Sequence, residues 1–107
     1  MPKQPTVVPL LAMALLMLAA DVRNPGVEHG HALVEANCSG CHAVGRADAS
    51  PMPEAPPLRD VHQRYPVENL AEALAEGLTT GHPGKPAFKF EAREVDDIID
   101  YLKSLEQ

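Results

Sequence analysis

The sequence has no tryptophan and only two tyrosines and two phenylalanines. So few aromatic rings leave a small domain short of bulky core material, and chains of this size often need something extra to hold a fold. Eleven prolines exclude a mostly helical bundle. No stretch alternates apolar and polar residues long enough to read as a strand, and no internal repeat is present. Basic residues are also scarce, nine Lys and Arg against fifteen Asp and Glu, for a net charge of −6. That balance excludes binding nucleic acid through its phosphates. There are only two cysteines, too few for a disulfide scaffold.

The one long apolar run covers residues 7–20 and follows an early cation, Lys3. It falls short of the roughly 20 residues that a spanning helix needs. It fits the apolar region of a secretory signal peptide at residues 1–20, with Ala19 and Ala20 as small residues before a cut. Leu18 departs from the preferred pattern, and an uncleaved membrane anchor is the alternative. Cleavage would remove only Lys3 from the charged residues, leaving eight basic and fifteen acidic, a net charge of −7. Residues 21–26, DVRNPG, read as a linker, and a single domain fills residues 27–107.

Within that domain a helix is expected from about Val27 through HGHALVEANC. The following stretch, RADASPMPEAPPLRDV, carries four prolines between positions 51 and 57 and reads as a loop without regular structure. A second helix fits VENLAEALAEG, residues 67–77, with a stripe of Leu70, Leu74 and Leu78. A third covers about residues 92–105, with Val95, Ile98, Ile99, Leu102 and Leu105 on one face. Between these two helices lies TGHPGKPAFKF, residues 80–90, whose prolines and glycines make a stiff, extended loop.

Both cysteines fall in CSGCH, residues 38–42. A redox disulfide would want a βαβ pattern, and no strands are visible. Half a zinc site would want a second Cys or His pair at matching spacing, and none follows. The pentapeptide C-x-x-C-H is the signature of c-type haem attachment. Cys38 and Cys41 would each add to a vinyl group, and the adjacent His42 would be placed under the iron. A haem would also supply the large apolar body that the composition lacks.

With these residues in view, the chain resembles a small bacterial class I, monohaem cytochrome c over residues 27–105. The likeness rests on CSGCH, on Gly30 in the first helix, on a Pro-x-Leu element at Pro56 and Leu58, on the late loop and on a last helix carrying DDIIDYLKSL. It implies an all-α fold, three or more helices around one covalently attached haem c and its iron. It implies a close crossing of the first and last helices at Gly30 and Tyr101. By the same resemblance the carbonyl of Pro56 accepts the Nδ1–H of His42, a bond that orients a ligating imidazole. Tyr65 and Arg64 could reach the haem propionates, since a buried carboxylate needs a donor, with ordinary core and surface packing as the alternative; Phe88, close to Lys85, is the candidate for the haem wall.

The chain departs from the family at one informative point. The loop before the last helix usually presents a methionine to the iron, in a pattern like G-H-P-x-M-P. Here GHPGKP puts Lys85 in that place. Lysine ligates only as a neutral amine, against a free pKa of about 10.4, so burial and the metal must both work to remove its proton. An amine in place of a thioether lowers the reduction potential. Lys85 is the expected distal ligand. An open or water-bound iron, His82 and Met52 stand as alternatives, while His29, His31 and His62 are expected on helices or at the surface.

The function expected is periplasmic one-electron transfer, not enzymatic catalysis. Transient redox donors and acceptors would be the partners, a membrane-bound oxidoreductase among them, for a chain acting as a monomer. A ligand-binding sensor cytochrome, a peroxidase-like haem and an electron-transfer subunit of a larger oxidoreductase are the competing readings.

Overall fold

The computed structural model describes residues 2–4, 24–78, 81–82 and 89–106. The apolar run at residues 7–20, together with Lys85 and Phe88, lies outside the described residues. Helix α1 spans Pro25–Cys38, α2 spans Ala71–Glu76 and α3 spans Ala92–Ser104. Two 3₁₀ turns, Leu58–Gln63 and Val67–Leu70, come between α1 and α2. Among the described residues there is no strand, and no helix is long and apolar enough to cross a membrane.

Helix α1 starts two residues inside the stretch read as a linker, and the cause is local chemistry. The Asn24 side chain accepts from the backbone N–H of Gly26 at 3.1 Å and of Val27 at 3.3 Å. Pro25 takes the first helical position, where a missing N–H costs nothing and the fixed φ is already helical. Helix α3 opens with a capping box, in which Glu91 and Glu94 exchange side-chain and backbone bonds. Its buried residues Val95, Ile98, Leu102 and Leu105 follow the expected helical spacing, and Ile99 packs against their edge. The second helix is α-helical only from Ala71, its first turn being the 3₁₀ turn that Pro66 introduces.

Helices α1 and α3 cross at Gly30. A Cβ added there would lie 1.9 Å from the backbone oxygen of Asp97 and 2.9 Å from the Tyr101 Cβ, so only glycine allows the approach. The crossing is fastened by polar contacts on both sides. His29 Nδ1 lies 2.6 Å from Asp97 Oδ2. The His31 ring stacks on Tyr101, with centres 4.6 Å apart and planes within 2°. The Tyr101 hydroxyl donates to the carbonyl of Val44, tying the last helix to the loop that follows α1. Burial pushes the pKa of this phenol up.

The loop after α1 is held more firmly than its prolines suggest. Ala43 N–H donates to Ser50 Oγ at 3.0 Å, and Leu58 N–H to the Ala43 carbonyl at 2.9 Å. Arg59 donates to the carbonyls of Asp48 at 2.8 Å and Gly45 at 3.4 Å. These bonds close the loop into a clamp that leads into the 3₁₀ turn Leu58–Gln63, where the prolines alone predict a loop without regular structure.

Candidate functional site

The last turn of α1 and the residues after it form one compact knot. The N–H groups of Cys41 and His42 both donate to the Cys38 carbonyl, at 3.2 and 2.9 Å. This turn gathers two thiols and one imidazole at the same edge of a cavity. The thiols are partly exposed and are not joined in a disulfide. The His42 Nδ1–H donates to the carbonyl of Pro56 at 2.7 Å. With that nitrogen engaged, Nε2 is the one left for a metal.

The cavity holds about 460 Å³. Its walls come from every described element. Helix α1 gives Val34, Asn37 and Cys38, and the 3₁₀ region gives Leu58, Val61 and Tyr65. The leucine stripe, Leu70, Leu74 and Leu78, forms one side, with Ile98 and Leu102 of α3 behind. Gly81 and His82 contribute from the late loop, and Met52, Glu54, Ala55 and Pro56 from the clamp. Tyr65 and Met52 are half exposed at this cavity, at 41% and 47%.

The structure therefore brings Cys38, Cys41, His42, Pro56, Leu58 and Tyr65 to one space. His82 and Met52, the alternatives to Lys85, line it as well, and their rings and chains come from different segments. The centres of the His42 and His82 rings are 6.2 Å apart, with planes tilted by 35°. His29, His31 and His62 do not line it. Asn37 and Val61 were not singled out from the sequence. Asn37 donates to the Leu33 carbonyl at 2.8 Å, so its place on the wall follows from a backbone contact with no motif of its own. Val61 lies three residues beyond Leu58 on a 3₁₀ turn, where side chains three apart share a face.

A flat, apolar group bearing two thiol-reactive substituents and a metal fits these walls. The lining is mostly aliphatic, the thiols sit at one edge, and an oriented imidazole with an available nitrogen stands beside them. Aliphatic walls left facing water would forgo the burial that a bound apolar group supplies, a serious loss for a domain whose whole stability is small.

The family model described as Cytochrome c matches residues 27–106. The chain is 28% identical to cytochrome c-552 of Bradyrhizobium diazoefficiens over 95 residues, covering 89% of each chain. It is 32% identical to a cytochrome c-553-like protein of Synechocystis over 78 residues, 73% of this chain and 68% of the relative. With cytochrome c6 of Cyanidium caldarium it shares 27% identity over 99 residues, 92% of this chain and 88% of that one. No solved structure matches. The chain belongs to the cytochrome c family, with its all-α fold and its covalently bound haem c and iron.

Proposed function

We propose that this protein is a periplasmic one-electron carrier, with residues 1–20 serving as its export signal. Cys38 and Cys41 are the attachment points, and His42 is the proximal ligand, oriented by Pro56. The single observation that carries the reading is the knot at residues 38–42, which opens into an aliphatic cavity with the His42 Nδ1 tied to the Pro56 carbonyl at 2.7 Å. The haem iron supplies the one-electron couple when bound. The chain's own part is to bind, orient and exclude water: Leu58, the leucine stripe and α3 enclose the group, and Tyr65 stands at its edge as a donor for a carboxylate.

A second protein ligand would come from the loop between α2 and α3. Lys85 holds the position of the family's methionine, and His82 is the loop residue that lines the cavity. A nitrogen from either gives a lower potential than a thioether would. Donor and acceptor meet the protein transiently, through a small interface, and a membrane-bound oxidoreductase is a natural member of the pair. The acidic surface makes exchange with a basic partner slow as salt rises.

The test is to produce the chain in cells that attach haem c, then record ferric and ferrous spectra and voltammetry. A reversible one-electron couple, with haem that survives denaturation still bound to the chain, supports the carrier. Loss of covalent haem in the Cys38→Ser/Cys41→Ser double variant assigns the attachment. A ferrous form that takes up carbon monoxide at once, and shows no reversible couple, would replace the carrier with a sensor.

A further inference from the structure

We propose that His82, rather than Lys85, is the second protein ligand to the iron, because its ring faces the same cavity as His42 at a separation that fits one metal atom between two imidazoles. The inference rests on the reading above that haem occupies this cavity. With metal–nitrogen distances of about 2 Å, two imidazoles on opposite sides of one metal would hold their ring centres about 6 Å apart. The His42 and His82 centres are 6.2 Å apart. Direct stacking in this same protein looks different: His31 and Tyr101 close to 4.6 Å with planes within 2°. The 35° tilt between His42 and His82 is no obstacle, since rings on opposite sides of a metal turn independently about their shared axis.

The backbone supports the same assignment. Gly81 precedes His82 with φ of +76°, a conformation that glycine adopts without strain. Pro83 follows in the sequence, and a residue before proline is steered to extended backbone. Glycine before it and proline after it restrict the backbone that carries His82. His42 meanwhile keeps Nδ1 on the Pro56 carbonyl, which directs Nε2 away from that bond. Imidazole is the commonest protein ligand to metals and donates as a neutral ring, whereas lysine must first lose a proton. The methionine position of the family can thus be given up to lysine without leaving the iron without a second protein donor.

The experiment compares ferric holoprotein with His82→Ala, Lys85→Ala and His82→Met by optical and electron paramagnetic resonance spectra and by midpoint potential. The expected wild type is low-spin, without a sulfur-to-iron charge-transfer band. His82→Ala should become high-spin with haem still covalently bound, and added imidazole should restore the low-spin spectrum. Lys85→Ala should keep the wild-type spectrum. His82→Met should gain the sulfur band and a raised potential, and it serves in place of alanine if that variant yields no folded protein. Low-spin loss in Lys85→Ala but not in His82→Ala hands the position to Lys85. Low-spin spectra in both variants, a sulfur band in the wild type (pointing to Met52) or a high-spin wild type each overturn the inference. All of those outcomes leave the haem reading standing, whereas a wild-type chain that takes up no haem removes both.

Discussion

Four residues apart on one face of α1, Gly30 and Val34 meet opposite surroundings. At Gly30 the last helix comes so near that a Cβ would fall 1.9 Å from a backbone oxygen. Val34, only 2% exposed, borders a cavity of about 460 Å³. Around the first, the chain completes its own packing with a stacked ring pair, an interhelical His–Asp contact and a buried tyrosine bonded to a carbonyl. Around the second, aliphatic side chains from every element line a space that they do not fill. The fold is thus the protein's own work at the crossing and depends on the prosthetic group around the cavity. The crossing fixes the direction of α1, and α1 in turn delivers Cys38 to the edge of the cavity.

The strongest way to break this comparison is to deny the cavity its occupant. A chain with Cys38, Cys41 and His42 all changed to alanine can neither attach haem covalently nor offer it the imidazole beside the thiols. Its aliphatic walls then stay unburied, and a small domain has little stability to spare. The triple variant should therefore lose cooperative thermal unfolding and most of its helical circular dichroism. A sharp transition near that of the holoprotein would mean that the chain closes the cavity unaided.

A smaller and more local effect is expected at the crossing. Gly30→Ala replaces glycine with a better helix former, worth about 1 kcal/mol in an exposed helix. Here the new methyl meets the Asp97 backbone, which cannot swing aside as a flexible side chain would. Overpacking typically costs about 1–3 kcal/mol, so the clash should win and the net effect should be destabilising. Urea unfolding of the holoprotein reads it. The haem spectrum should change far less than the stability, because the substitution acts at the crossing and reaches the cavity only through the position of α1. A stabilised Gly30→Ala would show that the helices can separate freely, and the contrast between the two halves would lose its sharper side.

What could be read in the sequence divides along similar lines. CSGCH was legible because its chemistry is local: five consecutive residues carry both thiols and the imidazole. The last helix was legible because Val95, Ile98, Leu102 and Leu105 repeat at helical spacing and are all buried. The start of α1 was misplaced although its signal was present, since Asn24–Pro25 is a cap followed by a first-turn proline. The 3₁₀ turn Leu58–Gln63 carried no comparable signal. It depends on Leu58 and Arg59 bonding to carbonyls of Ala43, Gly45 and Asp48, contacts between residues 11 to 15 apart that no periodicity announces. The distal side was legible only as a departure from the family, and Lys85 and Phe88, the residues singled out there, lie outside the described residues.

Tyr101→Phe separates two contributions at the crossing. The ring and its stacking on His31 remain, while the bond from the hydroxyl to the Val44 carbonyl is lost. A loss of about 1 kcal/mol is expected near neutral pH. The pH dependence adds a second reading. Burial raises the folded-state pKa of this phenol above its ordinary value of 10.0. Its contribution is complete below that value and disappears as pH rises through the folded-state pKa. Wild type should therefore lose stability in alkali more steeply than Tyr101→Phe. Parallel alkaline limbs would show that the phenol ionises without cost to the crossing.

The least effect is expected where neither half of the comparison is involved. Lys103, in the last turn of α3, lies 2.6 Å from Glu68 at the start of the second helical segment, and both side chains are about half exposed. The hydrogen bond to Lys103 lowers the Glu68 pKa, and the same bond raises that of Lys103. A lowered carboxylate contributes stability above its unfolded pKa, near 4.5, and loses it as pH falls through the lower folded-state value. A raised amine contributes below its unfolded pKa, near 10.5, and loses it as pH rises through the higher one. Glu68→Gln should thus leave the haem spectrum alone and flatten both limbs of the stability curve, the acid one through the lost carboxylate and the alkaline one because Lys103 loses the partner that raises its pKa. Exposed pairs are screened by salt, so even that difference should shrink between low and high ionic strength. An effect on the acid limb that persists in high salt would mean that Glu68 steadies the leucine-bearing wall of the cavity through more than its charge.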